Sequence, residues 1–170
     1  IMVLELRPPH SADLHDLHEL TPVMLSYLLS FVFVGIYWSN HHHLLQVAER
    51  VNGAILWANL HLLFWLSLIP FTTAWMGENH FAPNPTALYG ASLLMSAVAW
   101  SIMQLVIFRA QGPDSALHKA LGRDLKGKLS PFLYLAGIAL AYWSTLAADL
   151  VYAGAALVWG IADATMGQPR

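Results

Sequence analysis

The chain has 170 residues, of which 57% are hydrophobic and 11% charged, with a net charge of -2 and a mean hydropathy of +0.52. A soluble domain carries about a quarter charged residues, so this composition excludes an ordinary soluble fold and describes a chain dissolved in lipid. Cysteine is absent, which removes disulfides and thiolate metal sites, and no basic patch interleaved with exposed aromatics tracks a phosphate backbone, which sets nucleic acid aside.

The first element is the run Ile1-Met2-Val3-Leu4-Glu5-Leu6, which stops at Arg7-Pro8-Pro9. It reads as the last turns of a membrane helix that begins upstream, and it lacks the basic leader and cleavage site of a signal peptide. Spanning a hydrocarbon core of about 30 Å takes about 20 mostly apolar residues, and the segments 21–45, 52–77, 84–109, 129–147 and 150–165 meet or approach that length. Thr21-Pro22, Asn84-Pro85 and Ser130-Pro131 supply start signals, a capping side chain followed by a proline whose missing N–H costs nothing at the first helical position. The stretch at Ala148-Asp149 predicts a tight turn between the last two helices, with Asp149 at the water interface. The expected fold is an all-α membrane protein with a six-transmembrane-helix subunit, residues 1–6 being the end of the first helix, in one transmembrane domain over 1–170.

Positively charged short loops stay in the cytoplasm. If the helices alternate, Arg50, Arg109, Lys119, Arg123, Lys126, Lys128 and Arg170 share one side, while Glu5, Asp13, Asp16, Glu19 and Glu78 fall on the other with Arg7. This predicts a multi-pass protein with both termini cytoplasmic. Tyr37-Trp38, Trp57, Trp75, Tyr89 and Tyr142-Trp143 lie near predicted helix ends, where headgroups favour Trp and Tyr; Trp65 and Trp100 lie deeper, as packing residues.

The most unusual stretch is Trp38-Ser39-Asn40-His41-His42-His43, with Asn59 and His61 in the following helix. Ionisable and amide groups within a span are costly and belong at an interface between helices or at a functional site. Three consecutive histidines point about 100° apart around a helix and cannot all bind one metal. Asn59 needs hydrogen-bond partners, and the histidines across the short Gln46–Val51 connection are the expected ones. Pro70 should kink its helix, with Thr72 and Thr73 helping to satisfy the freed backbone. Gly90, Ala91, Ser92, Ser96, Ala97, Gly137, Ala141, Gly154 and Gly160 permit close helix contact. No carbonyl selectivity filter of the Thr-Val-Gly-Tyr-Gly type, Arg-rich voltage sensor, Walker A loop or His-Glu-x-x-His helix occurs, so no enzyme motif is present.

The order Gly35-Ile36-Tyr37-Trp38-Ser39-Asn40-His41-His42, then Leu56-Trp57-Ala58-Asn59-Leu60, then Leu66-Ser67-Leu68-Ile69-Pro70-Phe71-Thr72-Thr73-Ala74 resembles bacterial relatives of the lysosomal potassium channel transmembrane protein 175. The resemblance runs from residue 1 to about residue 77. It implies a potassium-permeable cation channel of the cell membrane, a homotetramer whose first helices line the pore with an apolar constriction. Val3, Leu6 and Met2 are then the pore-lining candidates, and Trp38, Asn40, His41, His42 and Asn59 match the polar network that holds the first helix. His43 stands where relatives often have Arg. The family's hallmark Arg and Phe-Ser-Asp would lie upstream of Ile1. Potassium ions, the bilayer and further copies of the chain are the implied partners, with no cofactor. Two other classes remain open: a haem- or metal-binding membrane oxidoreductase using His41, His42 and His61, and a non-conducting assembly protein built on the small-residue helices.

Overall fold

The structure is a computed structural model; it describes residues 20–46, 48, 51–111 and 125–166. Five helices follow one another: α1 (Thr21–Gln46), α2 (Gly53–Glu78), α3 (Pro83–Gln111), α4 (Leu125–Leu140) and α5 (Thr145–Met166). Each packs against the next in sequence, α5 returns to touch α1, and α3 also meets α5. The first three are long and apolar enough to cross a membrane, in 24, 26 and 29 residues. Met2, Val3 and Leu6 lie outside the described residues.

Burial is arranged for lipid rather than water. On α1 the buried stripe is Ser26, Ser30, Phe33, His41 and Leu44, while Met24, Leu25, Leu28, Phe31 and Val32 are exposed. On α3 Thr86, Gly90, Ser92, Ser96 and Ala97 are buried, while Leu88, Ile102 and Leu105 face outward. Small and polar residues inside with large apolar ones outside is the pattern expected where lipid solvates the apolar side chains and close backbone approach drives helix association.

Local chemistry sets the ends of α2 and the turn between α4 and α5. Asn52 caps α2 by accepting the Ile55 N–H at 3.0 Å. The turn into α3 places His80 and Phe81 at φ 50° and 57°, the left-handed region that side-chain-bearing residues seldom adopt. Phe81 is held there by its N–H to the Met76 carbonyl and by packing on the core around Met76 and Tyr89.

Two boundaries differ from expectation. The turn after α4 lies at Ala141–Ser144, not at Ala148-Asp149: the Trp143 and Ser144 N–H groups close onto the Leu140 carbonyl at 2.9 and 2.7 Å. Ser144 then caps α5, its Oγ accepting the Ala147 N–H at 3.3 Å. Ala148 is therefore buried inside α5, and Asp149 sits in the helix rather than in the turn. α4 starts at Leu125, so Pro131 falls inside it and Ser130 is a buried helical residue, not a cap. One proline removes a single ladder bond, which a helix packed against both α3 and α5 tolerates.

The aromatic residues also redistribute. Trp38, Trp57, Tyr142 and Trp143 are exposed, as suits a headgroup layer. Tyr89 is fully buried among Phe33 and Tyr152, and Tyr37 packs edge-on against Trp100, with ring centroids 6.4 Å apart. Helix-end position in the sequence marked both tyrosines as interfacial, but the core between α1, α3 and α5 takes them.

Candidate functional site, the polar seam between the first two helices

His41 continues the buried stripe of α1, two turns below Phe33. The connection to α2 is short, so the last turns of α1 lie beside the first turns of α2, and Asn59 comes opposite His41. Their side chains meet: His41 Nε2 and Asn59 Oδ1 are 2.6 Å apart. With the amide oxygen as acceptor, the imidazole donates from Nε2. His41 is buried and Asn59 half-buried, so losing the bond would leave the imidazole unsatisfied at a cost of about 1–3 kcal/mol.

The neighbours are sorted by helix geometry. Trp38, one turn above His41, lays its ring beside the imidazole at 6.3 Å and 31°. Asn40 turns back along its own helix, Nδ2 donating to the Ile36 carbonyl at 2.9 Å. His42 is exposed and accepts from Gln46 Nε2 at 2.9 Å, one turn further along α1. Its ring lies beside that of His43, also exposed. The seam proper thus consists of His41, Asn59 and the Trp38 ring, with His42 outside it.

His61 belongs to a separate arrangement. Trp65 Nε1 donates to His61 Nε2 at 3.0 Å within α2, so that nitrogen accepts and the ring proton sits on Nδ1. His41, His42 and His61 are engaged by three different partners, and among the described residues no group of three His, Cys, Asp or Glu is placed to hold a metal. The donor geometry gives the haem or metal reading no support.

Further along α2, Pro70 leaves the helix without one backbone donor. Thr72 Oγ1 donates to the Leu68 and Ile69 carbonyls, each at 3.1 Å, and Thr73 Oγ1 to the Ile69 carbonyl at 2.5 Å. The hydroxyls bind the turn around the proline from inside the bundle, where both threonines are buried.

One organising feature was not legible as such in the sequence. The Tyr152 ring is fully buried between α3 and α4 against Gly90 and Gly137, and a Cβ at either glycine would overlap it. Their spacing announces close contact, but not that a ring from α5 fills the gap. Gly154, by contrast, has open space where a side chain would stand.

Comparison with known proteins gives this seam a context. The family model described as the endosomal/lysosomal potassium channel TMEM175 matches residues 1–70, which include the seam. A Chryseobacterium sp. (strain P1-3) protein named as a potassium channel is 48% identical over 163 residues, covering 96% of this chain and 85% of that protein. A Chamaesiphon minutus protein, also named as a potassium channel, is 27% identical over 158 residues, 85% of this chain and 77% of its own length. The crystal structure of a lysosomal potassium-selective channel TMEM175 homologue from Chamaesiphon minutus shares the fold, with a TM-score of 0.80 at 23% identity over 95% of this chain and 88% of that one. With close to half its residues identical to a potassium channel along nearly its whole length, the chain belongs to the TMEM175 family.

Proposed function

We propose that the chain is a subunit of a potassium-permeable cation channel. The observation that carries this is the 48% identity over 96% of the chain to the Chryseobacterium potassium channel. The family is one of channels rather than enzymes, and neither it nor the donor geometry favours an oxidoreductase.

In this reading the subunit has six membrane helices, four copies surround the pore, and both termini are cytoplasmic in the plasma membrane. The helix ending at Leu6 lines the pore, with Met2, Val3 and Leu6 in or beside an apolar constriction. Such a constriction gates by dewetting and discriminates ions by the cost of stripping water there, without a carbonyl filter. Glu5 lies within this run and Asp13, Asp16 and Glu19 follow it in sequence, and together they would raise the local cation concentration at the mouth. The seam of His41, Asn59 and Trp38 supports this reading as a rigid polar joint between the helices that flank the pore helix. Potassium flux from liposomes containing the full-length protein tests it: flux above protein-free vesicles is expected, and none would overturn the proposal.

A further inference from the structure

His61 lies half-buried within the apolar span of α2, and neither the polar seam nor the pore reading uses it. Its ring meets that of Trp65, one turn on. The indole Nε1 is 3.0 Å from His61 Nε2, with the ring centroids 6.4 Å apart and the planes at 81°. An indole nitrogen donates and never accepts, so this bond exists only while Nε2 keeps its lone pair and the imidazole is neutral. A proton added to His61 goes to that nitrogen, because Nδ1 already holds one, and two N–H groups then point at each other. His41 obeys the opposite rule: it donates from Nε2 to Asn59, and a proton taken up at Nδ1 leaves that bond in place.

What hangs on the His61 bond is the position of Trp65. The indole packs on the core cluster that contains Leu62, Trp100 and Met103. It also stands just before the point where α2 lacks a ladder bond, since Pro70 supplies no N–H to the Leu66 carbonyl. Thr72 and Thr73 close on Leu68 and Ile69, beyond that point.

Among the described residues no acidic group stands at this level to fix the charge of His61. α2 packs against α1 and α3. From α3 the same cluster takes Ala99, Trp100, Met103 and Ile107, with Arg109 exposed in the last turn of that helix. From α1, Tyr37 packs on Trp100, His41 is held by Asn59, and His42 and His43 are exposed near the helix end. Asn59 is two residues from His61 and so lies on the other side of α2. Glu78 is the last residue of α2.

We propose that His61 and Trp65 form a proton-sensitive latch: neutral His61 holds Trp65 on the core between α2 and α3, and protonation releases it beside the Pro70 gap. The half-buried imidazole is open to a proton on one side. The latch is independent of whether the protein conducts.

The test is tryptophan fluorescence of the full-length protein in detergent between pH 8 and pH 5, a range that spans the ordinary imidazole value of about 6.5. Trp38 lies beside His41 and also responds to pH, so the Trp65 signal is taken as the difference between wild type and Trp65→Phe. That difference should lose intensity on acidification, as an imidazolium quenches a neighbouring indole. The loss should vanish in His61→Gln, whose amide oxygen accepts the indole N–H at every pH; wild type against His61→Gln decides the matter if Trp65→Phe does not fold. Over the same range the wild-type Tm should fall by about 2–4 °C relative to His61→Gln. A Trp65 signal that does not change with pH, or a change that persists in His61→Gln, overturns the proposal. So does a falling Tm with constant fluorescence of the folded protein, because the proton would then enter only on unfolding.

Discussion

His41 and Asn59 join α1 to α2 through a 2.6 Å hydrogen bond set one turn from an exposed tryptophan, Trp38. Beside it, Asn40 Nδ2 donates to the Ile36 carbonyl and His42 accepts from Gln46, both within α1. Replacing Asn59 by Leu keeps the volume but leaves His41 without its acceptor. The expected loss is about 1–3 kcal/mol, measured as a lower unfolding midpoint and a smaller yield of assembled protein. Unchanged yield and midpoint would show that the bond contributes nothing to assembly.

Tyr152 sits in a slot that only glycines can form. Gly90→Ala and Gly137→Ala should each cost about 1–3 kcal/mol by overpacking, because the buried ring has no room to retreat. Combining Gly137→Ala with Tyr152→Leu should cost less than the sum of the two single changes. Strict additivity in that double-mutant cycle would mean that ring and glycine do not share the slot.

Ser144 is the residue that places the α4–α5 boundary. Its Oγ satisfies an amide at the start of α5, so Ser144→Ala should lower stability by about 0.5–2 kcal/mol, and Ser144→Asp should restore most of it. If the alanine variant melts with the wild type, the cap is ornamental and the boundary rests on packing alone.

These sites show what the sequence could carry. Helix class and the partnership of Asn59 with a histidine followed from polarity: a half-buried amide within a span has few choices once hydropathy has fixed the spans. The α4–α5 boundary differs because Asp149 resembles a turn residue, whereas the turn is closed by the Leu140 carbonyl and α5 is capped by Ser144. Tyr37 and Tyr89 look interfacial by position, and their burial depends on which helix faces them. The role of Gly90 and Gly137 is tertiary for the same reason, since the ring they accommodate comes from a distant part of the chain.

Val3 and Leu6, three residues apart in the first apolar run of the sequence, are the residues proposed for the pore constriction. Changing either to Ser should raise resting cation leak and weaken discrimination between potassium and sodium, because a polar residue wets an apolar gate. Currents identical to wild type in both variants would remove this run from the pore.

The central claim is potassium permeation, and a concentration-driven flux assay on liposomes loaded with potassium chloride addresses it most directly. Vesicles containing the full-length protein should release potassium well above protein-free vesicles, and should pass N-methylglucamine far less readily. Potassium release no faster than from empty vesicles, with valinomycin showing the gradient intact, would contradict the account.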